Sequence, residues 1–204
     1  MCKTFSFIGY KNGDVFYSPV TDCHEDLIAA KGLKDNGPPM RNWIRGEYAP
    51  KNNEYHKIKT YQLTVDEECP PFEVTDSIKE SWESKMYDLV KSMILHNVNR
   101  KILLGGTWIL SGETKIDKVI NVRIISMNDS SNIGYMLGSS NISFMNDSSN
   151  IGSMYDSSNI SFMNDSSNIG SMYDSSNIGY MYNSSNIGYM RGSSNIKNDY
   201  RTKK

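Results

Sequence analysis

Residues 139–156 read SSNISFMNDSSNIGSMYD, and residues 157–174 repeat them letter for letter. The copy belongs to a longer array of nonapeptides that begin at Ser130, Ser139, Ser148, Ser157, Ser166, Ser175 and Ser184, with a further start at Ser193 that breaks off into the tail. Their consensus is S-S-N-I-[GS]-x-M-x-[DNG]. No other feature constrains the fold so strongly, because self-similarity at a fixed short period is the mark of a solenoid. Tracts rich in Ser, Asn, Gly and Asp often stay unfolded. Here, however, Ile and Met return at fixed positions in every copy, a phase that a disordered linker does not need. A coiled coil is excluded as well, since Ser-Ser-Asn and Gly oppose helix and nine is not a heptad period. Stacked β-coils favour ladders of identical residues about 4.8 Å apart. The array is therefore read as a β-solenoid.

Two nonapeptides make a turn of 18 residues, with the Ile and Met of each half pointing inward. The variable positions agree with that choice. Where position six is Phe144 or Phe162, position eight is Asn146 or Asn164; where position six is Ser153 or Ser171, position eight is Tyr155 or Tyr173. An 18-residue coil stacks Phe144 on Phe162 along one side and Tyr155 on Tyr173 along the other, adding ring–ring energy to surface burial. Upstream, NVRIISMND keeps Ile124 and Met127 in phase, and ETKIDKVI offers Ile116 and Val119. The expected solenoid covers residues 113–196, about four coils and roughly 20 Å of it from 121 onward. A basic tail, residues 197–204, follows.

Residues 1–112 read as a small α+β domain, about 110 residues and large enough for its own core. KTFSFIGYKNGDVFYSPV places Phe5, Phe7, Val15 and Tyr17 around Asn12-Gly13, a hairpin with the type I′ turn that Asn-Gly favours. TDCHEDLIAAKGL reads as a short helix, with Asp22 and Glu25 resembling a capping box and Gly32 as its stop. NWIRGEYAP and KIKTYQLTVDE are expected strands. SIKESWESKMYDLVKSMILHN is the strongest helix: Ser77 and Glu80 form an S-x-x-E box, and Ile78, Trp82, Met86, Leu89, Val90 and Met93 follow at helical spacing. Lys91 and His96 sit toward its end, where cations suit the helix dipole. KILLGGTWIL reads as two short strands about Gly105-Gly106.

Few residues point to catalysis. Cys23 falls in the first turn of the short helix beside His24, where the dipole lowers a thiol pKa. Adjacent helix positions point about 100° apart, however, so the pair does not meet as nucleophile and base. Consecutive His24, Glu25 and Asp26 do not converge on one ion. His56 and His96 read as surface or boundary histidines, and no phosphate-loop, dinucleotide, serine-hydrolase or zinc-protease motif is present. Neither metal nor cofactor is expected, and the chain does not read as an enzyme.

The net charge is −1, and no apolar run reaches the roughly 18 residues of a membrane span. Cys2, Cys23 and Cys69 are odd in number and lack metal-type spacing. With no export signal recognised at the start, the chain is expected to be cytoplasmic, without membrane contact. Within the array, Asp147 stacks over Asp165 and Asp156 over Asp174 at one strand spacing. Such a ladder suits a basic protein surface, for example one that normally holds nucleic acid; the alternative is that each Asp closes a turn and faces only water. The calcium pattern G-G-x-G-x-D is absent, as are the regular threonines of an ice-binding face.

The repeat string, with IKNDYRTKK after it, resembles uncharacterised bacteriophage-encoded proteins that end in runs of S-S-x-[VI]-G-x-M-x-x and a KxDYR tail. NGDVFYSPVTDCHEDLIAAKGL and KILLGGTWILSGETKIDKVI are similar to their N-terminal parts. The resemblance covers nearly the whole chain and carries over no catalytic residue. It implies a phage protein acting in the host cytoplasm, for example on an antiviral defence system such as a CRISPR effector. In that reading the partner is a host protein, for example a nucleic-acid-binding defence effector, and direct nucleic-acid binding is not expected. Its binding residues are Phe144, Tyr155, Phe162, Tyr173, Tyr180, Tyr182 and Tyr189, with Asp147, Asp156, Asp165 and Asp174 beside them. The competing reading places a small-ligand or enzyme site in residues 1–112, tested at Cys23 and His24, with the solenoid as annex. Self-assembly through an uncapped last coil is a third possibility.

Overall fold

The computed structural model describes residues 5–34, 41–65, 68 and 70–201; Cys2 and Cys69 lie outside them. The chain divides into two units, residues 1–92 and 93–204. The first is a small α+β unit and the second a parallel β-solenoid, as the repeat requires.

In the first unit, β1 (Ser6–Tyr10), β2 (Val15–Phe16), β3 (Trp43–Pro50) and β4 (Tyr61–Val65) form one antiparallel sheet in the order β2-β1-β3-β4. The β1–β2 hairpin forms, but its turn is not type I′. Gly13 N–H donates to Tyr10 O, Tyr10 N–H to Asp14 O, and only Gly13 has positive φ. This is a three-residue loop closed by a glycine bulge. Helix α1 (His24–Ala30) has Cys23, not Asp22, at its N-cap and no side-chain cap bond; Asp22 Oδ1 instead accepts the Phe5 N–H. Its stop is as expected: Gly32 sits at φ 61°, and the Leu33 N–H closes back on Ile28 O.

Helix α2 (Asp76–Met93) starts one residue before the expected box, with the N–H groups of Ile78 and Lys79 both on Thr75 O. Trp82, Met86 and Val90 are its buried stripe. Trp82 lies edge-on to Phe7 and donates its indole N–H to Tyr10 O. It packs directly on Gly9, where an added Cβ would stand 2.7 Å from the indole ring. The helix ends at Met93, three residues short of His96, since Ile94–His96 is already a strand.

That strand is the first of the solenoid, which begins at Ile94 and not at Glu113. One sheet contains β5 (Ile94–His96), β7 (Thr107–Ser111), β9 (Arg123–Met127), β11 (Asn141–Met145), β13 (Asn159–Met163), β15 (Asn177–Asn183) and β17 (Asn195–Arg201). The other contains β6 (Asn99–Leu104), β8 (Lys115–Ile120), β10 (Asn132–Leu137), β12 (Asn150–Met154), β14 (Asn168–Met172) and β16 (Asn186–Met190). The chain alternates between the sheets for about six coils. Two sequence boundaries move. The early rungs pair at shorter offsets, such as Ile94 with Ile109 and Asn99 with Lys115, so they lack the nonapeptide signature. At the other end, residues 195–201 are the last rung, with Ile196 on Ile178 and Asp199 on Met181.

In the repeat, rungs pair in parallel at an offset of 18 residues: Ile133 on Ile151, Met136 on Met154, Ile142 on Ile160, Met145 on Met163. Residues three apart face opposite sides of a flat strand. Ile and Met nevertheless both point inward, because the strand bends at position five, where the ladder skips a pair. Gly152 lies so close to the rung below that a Cβ would stand 2.6 Å from Gly134 O. From Ile133 to Met181 the inward Ile and Met side chains are fully buried, and each contributes about 1.5–3 kcal/mol.

Candidate functional site

What the solenoid presents outward follows from its corners. Position nine has positive φ in every rung before the last: Asn97, Gly105, Gly112, Asn121, Asp129, Gly138, Asp147, Asp156, Asp165, Asp174, Asn183 and Gly192. Only Gly, Asn and Asp adopt this left-handed conformation routinely. Each aspartate also has a bonding role. Asp156 Oδ2 accepts the Gly138 N–H at 2.8 Å, Asp174 Oδ2 the Asp156 N–H at 3.2 Å, and Asp165 Oδ2 the Asp147 N–H at 3.3 Å. Asp147 Oδ2 takes the Asp129 N–H at 3.0 Å. The acidic ladder is thus tied into the backbone, which offsets the like-charge repulsion of the stack.

The serine and asparagine positions are structural too. From Ser131 to Ser185 the second-position serines are buried, and Ser131, Ser140, Ser149, Ser167 and Ser185 donate to the carbonyl three residues back at 2.6–2.8 Å. Third-position asparagines form amide ladders, as in Asn168 to Asn150 at 2.8 Å and Asn177 to Asn159 at 3.0 Å. Asn128, Asn146 and Asn164 form a third ladder at position eight.

The remaining outward freedom is at positions six and eight, and there the aromatics stack as the 18-residue coil requires. On the sheet with odd-numbered strands, Phe144, Phe162 and Tyr180 make one column, with centroids 5.4 and 5.1 Å apart and planes within 13°. Tyr182 and Tyr200 stack beside its end at 5.4 Å. On the sheet with even-numbered strands, Tyr155 and Tyr173 stack at 4.8 Å and 13°. Tyr135 and Tyr189 flank them at 6.4 and 6.1 Å, tilted by 34° and 56°. The sequence-derived aromatic residues therefore belong to two faces: Phe144, Phe162, Tyr180 and Tyr182 on one, Tyr155, Tyr173 and Tyr189 on the other. Asp147 and Asp165 follow the strands of the first face, Asp156 and Asp174 those of the second.

The tyrosine face holds residues that the repeat did not single out. Leu104 pairs with Ile120 and Ile120 with Leu137, so position eight reads Leu104, Ile120, Leu137, Tyr155, Tyr173 along the axis. Leu104 is 70% and Tyr135 46% exposed. Lys118 lies 5.9 Å over the Tyr135 ring. Lys118, Tyr135, Leu137, Tyr155 and Asp156 line an open groove of about 400 Å³. The sequence signal for these residues was the run of Gly and Asn corners before Ser130, which extends the rows upstream once it is followed.

In the first unit, Cys23 and His24 do not form a catalytic pair. His24 is buried with Nε2 3.0 Å from Gly46 O. The Cys23 thiol donates to Glu25 Oε2 at 3.0 Å, and that bond pushes its pKa up, overriding the helix N–H groups that pull it down. His96 Nδ1 lies 3.0 Å from Ser111 Oγ in the first coil. Among the described residues no group of three or more His, Cys, Asp or Glu side chains is placed to hold a metal, and no helix is long and apolar enough to cross a membrane. No protein-family model, curated protein or solved structure matches the chain.

Proposed function

We propose that this chain is a non-enzymatic binding protein that presents the outer faces of its solenoid to a protein partner. The observation that carries the reading is the pair of stacked aromatic rows. Rings held within 13° of parallel by a hydrogen-bonded backbone have little side-chain freedom left to lose on binding. Aromatic side chains also supply most of the energy at protein interfaces. The raised thiol pKa of Cys23 and the burial of His24 count against the competing site in residues 1–112. The wider setting, which the resemblance of the repeat implies, belongs to the same proposal. It is a phage-encoded protein in the host cytoplasm that inhibits an antiviral defence effector, for instance of the CRISPR type.

The test is affinity capture of the tagged protein from nuclease-treated bacterial lysate, run in parallel with Tyr155→Ser/Tyr173→Ser and Phe144→Ser/Phe162→Ser variants of matched circular dichroism. A single stoichiometric protein, retained by wild type and lost from one double variant, supports the reading and names the face used. Retention by both double variants sinks it.

A further inference from the structure

The groove on the tyrosine face lies where its stacked pair of rings ends. Position eight on this sheet places Tyr173 and Tyr155 in a stack at 4.8 Å. The next rung continues the backbone register, with the Tyr155 N–H on Met136 O at 3.0 Å. There, however, position eight is Leu137 and position nine is Gly138. One face of the Tyr155 ring is covered by Tyr173; the other looks toward Leu137 and the tilted ring of Tyr135, 6.4 Å away. The stack of two rings therefore ends at Tyr155, and the groove of about 400 Å³ lies at the next rung. Its size is within the roughly 300–1,000 Å³ of ligand pockets.

The rim of the groove has opposite charges. Lys118, exposed and lying over Tyr135, stands on the rung before. Asp156 stands on the rung after, with Oδ2 engaged by the Gly138 N–H. A ring seated on Tyr155 would meet an acceptor in the Asp156 carboxylate and a cation in Lys118. We propose that this notch takes a tryptophan or tyrosine side chain of the protein partner, one with a carboxylate in the adjacent residue. The ring extends the stacked pair beside Tyr135, its N–H or O–H donates to Asp156, and the neighbouring carboxylate pairs with Lys118. The assignment rests on the binding function proposed above and names the anchor of that interface.

The deciding variant is Leu137→Tyr, which fills the groove with the ring found at this position in the next two rungs of the sheet and is expected to fold with an unfolding midpoint at or above wild type. The probe is the dipeptide acetyl-Trp-Asp-amide, titrated into full-length protein carrying ¹³C-labelled tyrosine rings and followed by NMR. Saturable shifts confined to Tyr135 and Tyr155 are expected, with the dissociation constant raised at least about tenfold in Leu137→Tyr and severalfold in Lys118→Glu. No saturation, equal binding to Leu137→Tyr, or shifts centred on Tyr180 would overturn the notch. Failure of the two ideas is separable. A captured partner that binds Leu137→Tyr normally but not Tyr155→Ser/Tyr173→Ser removes the notch and leaves the binding function. Peptide saturation without a captured partner removes the function and leaves the notch.

Discussion

Substitution at Asp156 separates the two roles that an acidic corner can have. Its φ of 58° is left-handed, and its Oδ2 accepts the Gly138 N–H at 2.8 Å. Changing it to Ala puts a side chain without local hydrogen bonding into that conformation, at about 1 kcal/mol. The same change removes one exposed hydrogen bond, worth roughly 1 kcal/mol more. Asp156→Ala should therefore cost about 2 kcal/mol. Asp156→Gly loses only the bond and should cost about 1 kcal/mol. Asp156→Asn keeps both the conformation and an acceptor oxygen, relieves the repulsion from Asp174, and should stay within about 0.5 kcal/mol of wild type. Urea unfolding followed by far-ultraviolet circular dichroism reads the order directly. If Asn is as costly as Ala, the negative charge itself is in use and the structural account of the ladder fails. If Ala is neutral, the left-handed corner sets no demand on the residue at this position.

Three further outcomes are expected. Met154→Ala, in the dry core, should cost about 2–5 kcal/mol, whereas Met190→Ala, at a site 36% exposed, should cost under about 1 kcal/mol; equal shifts in urea midpoint would contradict the burial pattern. Deleting residues 139–156 joins Gly138 to Ser157 and places Phe162 on Ser126 as Phe144 now is, so the fold should survive with the solenoid shorter by about 4.8 Å in X-ray scattering. In a Cys2→Ser/Cys69→Ser background, Cys23 should react slowly with iodoacetamide at neutral pH and faster only in alkali. The bond to Glu25 favours the protonated thiol and raises its pKa, so thiolate forms at higher pH than in a free cysteine. Rapid labelling at pH 7 would reopen the case for a reactive thiol.

The solenoid was legible from Ser130 onward because there the inward residues, the corner residues and the capping serines all recur at nine. Upstream the same architecture persists without that coincidence. Thr114 takes the capping-serine role, its Oγ1 on Ser111 O at 2.7 Å, and Leu103 and Val119 replace Met. What stays constant is the left-handed corner, and Asn97, Gly105, Gly112 and Asn121 mark it seven to nine residues apart. A search for Gly or Asn at that spacing, with an apolar residue two positions before each, finds Leu95, Leu103, Leu110 and Val119 as the inward column. The tail hides its rung for a related reason. Lys197 and Asp199 look like solvated charge, yet Asn195 and Ile196 hold the rung in register on Asn177 and Ile178.

The candidate site divides along the same line between backbone and side chain. Stacking of Phe144 on Phe162 and of Tyr155 on Tyr173 needs only the 18-residue offset, so the sequence alone could state it. The assignment of those rings to separate faces also follows from the offset, since nine residues carry the chain to the other sheet. The groove needed more. It exists because Leu137 is shorter than the tyrosine that two later rungs place there, and because Lys118 and Tyr135 come beside it across a rung whose offset is 17 residues, not 18. A departure from the repeat is visible in sequence only as loss of signal. In the folded chain it becomes a vacancy of defined shape between rings of defined spacing, and such departures are the only places where an otherwise uniform ladder can distinguish one partner from another.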